Sequence, residues 1–210
     1  MLRYMLTHRA EVATLVFEHV WLVGISMLLA VAIGVPLGIL LTRRPRLSPA
    51  VLGGTNIIQT IPSLALFGFL LPAPWLGERA DRIAITALTL YALLPIVRNT
   101  FVGIRGVDPA VREAAHAMGL TDNQVLFRVE LPLAASVILA GIRTATVISV
   151  GIATIAAAIG AGGLGEFIFR GLAMVNNSLI LTGAVPAAVL AIAADVCLGF
   201  AESRWRTPRA

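Results

Sequence analysis

Residues 20–41 read VWLVGISMLLAVAIGVPLGILL, an apolar run without a charged side chain. A helix needs about 20 mostly apolar residues to cross the hydrocarbon core of a bilayer. The Gly and Pro residues inside the run are compatible with such a helix, because neighbouring helices can satisfy the backbone groups that a proline frees. This stretch therefore predicts a transmembrane helix.

Four further apolar stretches have a similar length, and they cover residues 51–71, 83–104, 131–159 and 178–200. Of all residues, 58% are hydrophobic and only 13% are charged, whereas a soluble domain is about 45–50% apolar and about 25% charged. Lipid must therefore be the solvent for much of the surface. The sequence predicts an all-α fold, a polytopic transmembrane helical bundle of about five spans that forms a single domain over residues 1–210.

The basic residues predict the orientation of this bundle. All sixteen of them are Arg, and a surplus of Arg marks cytoplasmic segments. Five spans place about twice as many arginines on the side of the C-terminal tail, which carries Arg204, Arg206 and Arg209, as on the other side. We therefore expect the N-terminus outside and the C-terminus in the cytoplasm. This topogenic role explains the high pI without nucleic-acid binding.

The longest predicted cytoplasmic segment, residues 105–130, carries signals for two short helices. The pair Asp108-Pro109 is typical of a helix start, and Gly119 is typical of the position just past a helix end. Residues 121–124, TDNQ, have the capping-box pattern of a second start. We expect this second helix to end before Pro132. The pattern thus predicts two short helices with a sharp bend between them.

The first of these helices carries Ala114, Ala115, Ala117 and Met118 beside Glu113. Small side chains permit close approach of another protein, and a charge can fix the register of that contact. A solvated connector with ordinary helix caps would have the same residues. From the residues alone, both interpretations stay open.

The same segment resembles the EAA loop of ABC importer permeases. The matching residues are Glu113-Ala114-Ala115, then Gly119, then Val129-Glu130-Leu131-Pro132, where the family pattern ends in Ile-x-Leu-Pro. The chain departs from the pattern at Val129, where Ile is usual. Residues 59–63 (QTIPS), 94–100 (LPIVRNT) and 159–165 (IGAGGLG) resemble the osmoprotectant branch, the permeases for glycine betaine, choline and carnitine.

The resemblance implies the partners and the mechanism. Two permease subunits would form the translocation pathway in the bacterial cytoplasmic (inner) membrane, and an extracytoplasmic substrate-binding protein would deliver the solute. Each EAA loop would dock on a cytoplasmic ATP-binding cassette ATPase subunit. By analogy, Glu113 is the polar anchor, Ala114 and Ala115 are the contact surface and Gly119 is the bend, while Leu131 and Pro132 close the motif.

Several alternatives stay open at this level. The second permease is either another copy of this chain or a similar chain. The EAA loop does not encode the substrate, so an importer for another small solute, such as an amino acid, remains an alternative. A membrane scaffold or an intramembrane enzyme is the alternative from another class.

Polar residues inside the predicted spans are candidates for the lining of a passage. They are Gln59, Thr60, Ser63, Thr146 and Ser149. Hydrogen bonding between helices explains them equally well. Arg143 and Asp195 also fall within spans, where an ionisable residue is a functional candidate by default. We expect these two residues to form a structural ion pair between the fourth and fifth spans.

The sequence gives no reason to expect a cofactor, a metal or a catalytic site. The G-x-G-x-x-G match at residues 160–165 ends an apolar helix instead of following a strand, and no GK[ST] motif follows it. The ATPase is therefore expected on a separate chain. The three histidines are far apart in the sequence, and only 6% of the residues are aromatic. Solute selectivity is accordingly expected in the separate binding protein.

Overall fold

The computed structural model describes residues 2–73, 76 and 79–205. Arg206 and Arg209, which contribute to the predicted orientation, lie outside these residues. Regular structure in the described part of the chain is helical throughout, which confirms the all-α class. The helices are α1 (Leu2–Thr7), α2 (Arg9–Arg43), α3 (Ser48–Thr60), α4 (Ser63–Leu70), α5 (Ala80–Arg105), α6 (Pro109–Ala117), α7 (Asp122–Val125), α8 (Leu131–Ala156), α9 (Gly165–Ala173) and α10 (Asn177–Ser203).

Four helices in the described residues are long and apolar enough to cross a membrane. They are α2, α5, α10 and one continuous helix, Asp122–Ile159, which contains α7 and α8. The predicted spans 20–41, 83–104 and 178–200 lie within α2, α5 and α10. A fifth crossing is formed if α3 and α4 are taken together as one broken span.

The stretch predicted as a single span, residues 51–71, is divided at Pro62. Helix α3, with its preceding turn, meets α4 at an angle of 102°. Pro62 has no N–H to donate, and Ile61 before it is extended, at φ −72° and ψ 126°, as proline requires of its predecessor. Tyr91 of α5 stabilises the break, because its hydroxyl donates to the Ile61 carbonyl and its own carbonyl accepts from Gln59 Nε2 at 2.8 Å.

Helix α5 lies at the centre of the bundle. Of its apolar window 61% is buried, against between 22% and 39% for the other three long helices. It packs against α2, α3, α4 and α8, and fully buried residues such as Leu88, Ile96 and Val97 line its length. The outer helices leave large apolar side chains exposed, among them Leu28 and Phe200. Such surfaces need lipid or another protein chain around them.

Helix α2 approaches α5 closely at a glycine. A Cβ atom at Gly38 would lie 2.6 Å from Thr100 Cβ and 2.9 Å from the Val97 carbonyl oxygen. The glycine therefore lets the two backbones come together without a side chain between them. Gly24, in the same helix, has no neighbouring atom within 4 Å of the position that a Cβ would take.

We expect Gly38→Ala to destabilise the protein and Gly24→Ala to leave it unchanged or more stable. The first substitution forces α2 away from α5, and overpacking of this kind costs about 1–3 kcal/mol. The second replaces glycine with a better helix former at a position that has space for the methyl group, which stabilises the helix by up to about 1 kcal/mol. Thermal unfolding of the two variants in detergent, followed by circular dichroism, measures the difference. Equal midpoints for both variants would contradict the predicted contact.

Candidate functional site

The connection between α5 and α8 begins with a short capped helix, as the sequence predicts. The Asp108 carboxylate accepts the backbone N–H of Ala110 at 2.8 Å and caps the start of α6. The helix ends at Ala117, and Gly119 follows it with a φ of +83°, a left-handed conformation that favours glycine. The N–H of Leu120 then donates to the Ala115 carbonyl at 3.2 Å. These bonds satisfy the end of the helix and turn the chain sharply.

The capping box after the bend is also present. The backbone N–H of Thr121 donates to Gln124 Oε1 at 2.9 Å, and the N–H of Gln124 donates back to Thr121 Oγ1 at 3.4 Å. Each residue thus satisfies a backbone donor that the first turn of a helix would otherwise leave free.

The second helix does not end before Pro132, so that prediction is wrong. A π-helical turn, Leu126–Glu130, joins α7 directly to α8. The Leu131 N–H donates to the carbonyl of Leu126, five residues back. The wider turn leaves room for the proline ring and needs no N–H from it. The loop is consequently continuous with the long helix α8.

A buried carboxylate, that of Glu130, lies in this π-helical turn. Its side chain is 2% exposed. The Arg43 guanidinium, from the end of α2, donates to its Oε2, and Arg112 Nε of α6 lies 2.9 Å from its Oε1. Arg112 also donates to the Ile104 carbonyl at the end of α5. The carboxylate, directly before α8, thereby connects the loop helix α6 to α2, and Arg112 connects α6 to α5.

Glu130 was not among the residues predicted to be functional. In the motif it occupies the variable position, and its partner Arg43 is 87 residues away in the chain. The one indication of a special role in the sequence was its position, because Glu130 is an acidic residue directly before a long apolar run. A buried charge is strongly unfavourable unless it is paired, so a partner was required, although its identity depends on the tertiary fold.

Helix α6 has one face toward the protein and one face toward solvent. Arg112 and Ala115 face inward, and Ala115 is 2% exposed. Glu113 and Ala114 are exposed on the other side, and Met118 at the helix end is 73% exposed. Of the two alanines expected in a contact surface, only Ala114 is therefore accessible to another protein. Gly119 and Pro132 are exposed, and Leu131 is half-buried.

The polar residues predicted as pathway lining do not form one surface. Gln59 binds the backbone of α5 at the break between α3 and α4. Thr60, exposed beside it, donates to its own helix at Ile57 O (2.7 Å), and Ser63 follows Pro62 half-buried. Helix-internal bonds of this kind satisfy a hydroxyl without any solute.

The two candidates on α8 face a different way. Thr146 donates to the Ile142 carbonyl at 2.8 Å and borders an apolar groove between α2, α8 and α10. Ser149 is fully buried, with its hydroxyl 3.7 Å from Met27 Sδ of α2. Both therefore lie on the side of α8 that faces α2.

The structure brings Arg143 and Asp195 together. Arg143 Nε donates to Asp195 Oδ1 at 2.6 Å, and Arg143 Nη2 donates to Asp195 Oδ2 at 2.7 Å. A third group, Glu202, accepts from Arg143 Nη1 at 3.3 Å, and it was not among the predicted residues. Among the described residues, no group of three or more His, Cys, Asp or Glu side chains has a geometry that could hold a metal ion.

Comparison with known proteins identifies the family. The sequence profile described as "Binding-protein-dependent transport system inner membrane component" matches residues 34–207. The chain is 45% identical over 194 residues to the carnitine transport permease protein OpuCB of Listeria monocytogenes, covering 92% of this chain and 87% of that protein. It is 47% identical over 187 residues to the glycine betaine/carnitine/choline transport system permease protein OpuCD of Bacillus subtilis, covering 89% and 80%.

The fold has a solved counterpart in an inward-facing structure of the MetNI methionine ABC transporter. The TM-score is 0.84 at 22% identity, and the match covers 95% of this chain and 98% of that chain. Fold and sequence thus agree with the resemblance that the loop motif first indicated. The chain belongs to the family of binding-protein-dependent transport system inner membrane components, as a multi-pass membrane permease subunit and not an enzyme.

Proposed function

We propose that the chain forms half of the translocation pathway of an ABC importer for a small osmoprotectant with a quaternary ammonium group, such as glycine betaine, carnitine or choline. The observation that carries this proposal is the 47% identity, over 89% of the chain, to a permease named for these three solutes. The segments at residues 59–63, 94–100 and 159–165 support the same substrate branch.

In this proposal α6 is the docking element for a separate cytoplasmic ATPase. The predicted orientation, with the N-terminus outside, puts residues 105–130 in the cytosol. The solvent-facing side of α6 carries small side chains around one acidic group, Glu113, and ends in the exposed Met118. An exposed apolar side chain beside a charge suits a specific protein contact. Partner chains are a second permease subunit, two ATPase subunits and an extracytoplasmic binding protein.

The Glu130 carboxylate gives this docking element a mechanical connection to the bundle. Arg112 binds it from α6, and Arg43 binds it from the end of α2. A buried carboxylate between two guanidinium groups holds its neighbours in one geometry, because separating them would leave a charge unpaired away from water. A displacement of α6 by the ATPase would therefore move α2 and α8 with it.

We expect Glu113→Arg to abolish co-purification of the permease with its ATPase. The substitution reverses the only acidic charge on the solvent-facing side of α6 and leaves the buried face unchanged. Affinity purification of the co-expressed subunits measures the association. The matched control is Glu166→Arg in α9, at the other end of the bundle, and it should co-purify like the wild type. Normal association of the Glu113→Arg variant would contradict docking through this face.

We expect Glu130→Gln to weaken the coupling between ATP hydrolysis and transport. The variant keeps the side-chain shape but removes the charge that two arginines share, and breaking a buried pair costs about 3–5 kcal/mol. Uptake per ATP hydrolysed should fall about tenfold if 1.4 kcal/mol of the coupling is lost. Reconstituted transporter measures both rates. Asp122→Asn, an exposed acid in the same loop, is the control, and Glu130→Asp should retain more coupling than Glu130→Gln.

The substrate class is tested by uptake. Cells that express the permease with its ATPase and binding protein should accumulate radiolabelled choline, and excess glycine betaine or carnitine should compete with it. Uptake should require a functional ATPase subunit. Competition by an amino acid such as methionine, without competition by the quaternary ammonium compounds, would contradict the proposed substrate class.

A further inference from the structure

The Arg143–Asp195 pair lies between two long apolar helices, in a cluster that extends to Glu202 near the end of α10. Arg143 is near the middle of α8, about 18 Å along the axis from either end at 1.5 Å per residue. Asp195 is about 12 Å before the end of α10 on the same estimate. Neither side chain is enclosed by its own chain, because Arg143 is 34% exposed and Asp195 is 42% exposed.

A half-exposed ion pair between two apolar helices is unfavourable against lipid. Hydrocarbon offers no hydrogen bonds to the free edges of a guanidinium or a carboxylate, and charged groups within spans accordingly face a bundle interior or a water-filled cavity. We therefore expect the exposed side of this pair to face an aqueous passage or another protein chain.

The surroundings of the pair are a cleft and not a packed surface. The cleft has a volume of about 370 Å³ and is lined by Ala140, Arg143, Thr144, Val147, Ile148, Asp195 and Glu202. At 3.6 residues per turn, Thr144 and Ile148 lie on the side of α8 opposite to Ile142 and Thr146. The apolar groove beside α2 occupies that other side. Helix α8 thus has one face toward α2 and a charged face away from it.

We propose that this cleft is a solute-contact site of the translocation pathway, and that it takes small solutes with a quaternary ammonium group. The inference rests on the proposed function and adds to it where the solute touches the chain. A zwitterion such as glycine betaine would lie antiparallel to the ion pair, with its trimethylammonium group beside Asp195 and its carboxylate beside Arg143. Choline, which has no carboxylate, would contact Asp195 alone.

The chemistry of the cleft suits transient binding of the solute better than tight binding. None of the described residues that line it is aromatic, so it lacks the ring faces that hold quaternary ammonium groups tightly. A transport site must attract the solute and also release it. The cleft fulfils both conditions, because Arg143 pairs with Asp195 and Glu202 when no solute is present, and no ring face holds a solute there.

The first test compares uptake of choline and glycine betaine by the complete reconstituted transporter. With the binding protein saturated, Asp195→Asn should lower the maximal uptake rate of both solutes, by about tenfold for one lost contact to a charged group. Arg143→Gln should lower the maximal rate for glycine betaine and leave that for choline nearly unchanged. A purely structural pair would instead lower both maximal rates by the same factor, so that their ratio stays that of the wild type.

The matched control is Glu11→Gln. This substitution breaks the ion pair between Glu11 of α2 and Arg170 of α9. Like Arg143–Asp195, that pair joins two helices through half-exposed charges, since its side chains are 37% and 42% exposed. Its ratio of maximal uptake rates for the two solutes should equal that of the wild type. A shift of the ratio in this variant as large as that in Arg143→Gln would overturn the proposal.

The second test does not depend on the stability of a charge variant. Cys197, the chain's single cysteine, is replaced by alanine, and Thr144 in the cleft is replaced by cysteine. A water-soluble, membrane-impermeant thiol reagent should modify the new cysteine in the assembled transporter, and glycine betaine should slow the reaction. A cysteine that does not react, because lipid or the second permease covers it, overturns the proposal. Wild-type transporter that imports neither solute overturns the proposed function itself.

Discussion

In lipid, every backbone polar group must find its partner inside the protein, and the irregular parts of this bundle follow from that requirement. At Pro62 the helix ends, and the freed Ile61 carbonyl receives the hydroxyl of Tyr91 from α5. At Pro132 the helix continues, because a π-helical turn shifts the bonding by one residue. The two prolines thus have different outcomes, since one ends a helix and the other lies within one.

The signals that the sequence displays are local ones. Apolar length predicts the spans, and the caps at Asp108, Gly119 and Thr121 involve partners within five residues. The contacts that organise the molecule are not local, since 87 residues separate Glu130 from Arg43. Which arginine meets a given carboxylate depends on how α2, α5 and α8 pack, and no short window of sequence contains that information.

Burial distinguishes the charged groups more clearly than their position in the sequence does. The Glu130 carboxylate is 2% exposed between the guanidinium groups of Arg43 and Arg112, whereas Asp195 is 42% exposed beside Arg143. An enclosed charge can only hold its neighbours in place, while a half-exposed one can also meet a molecule from outside. Hydroxyl groups such as those of Thr60 and Thr146 bond to their own helix, and polarity within a span is therefore a weak sign of a passage.

The continuity of Asp122–Ile159 has a geometric consequence. Its 38 residues form a rod about 57 Å long at 1.5 Å per residue. Because the helix is continuous, a movement of its loop end is transmitted along its length. A tilt of about 10° about one end displaces the other end by roughly 10 Å, the length of nearly two helical turns. Arg143 lies near the middle of the rod and would travel about half as far, so a small rotation at the loop is enough to open or close a cleft at that depth.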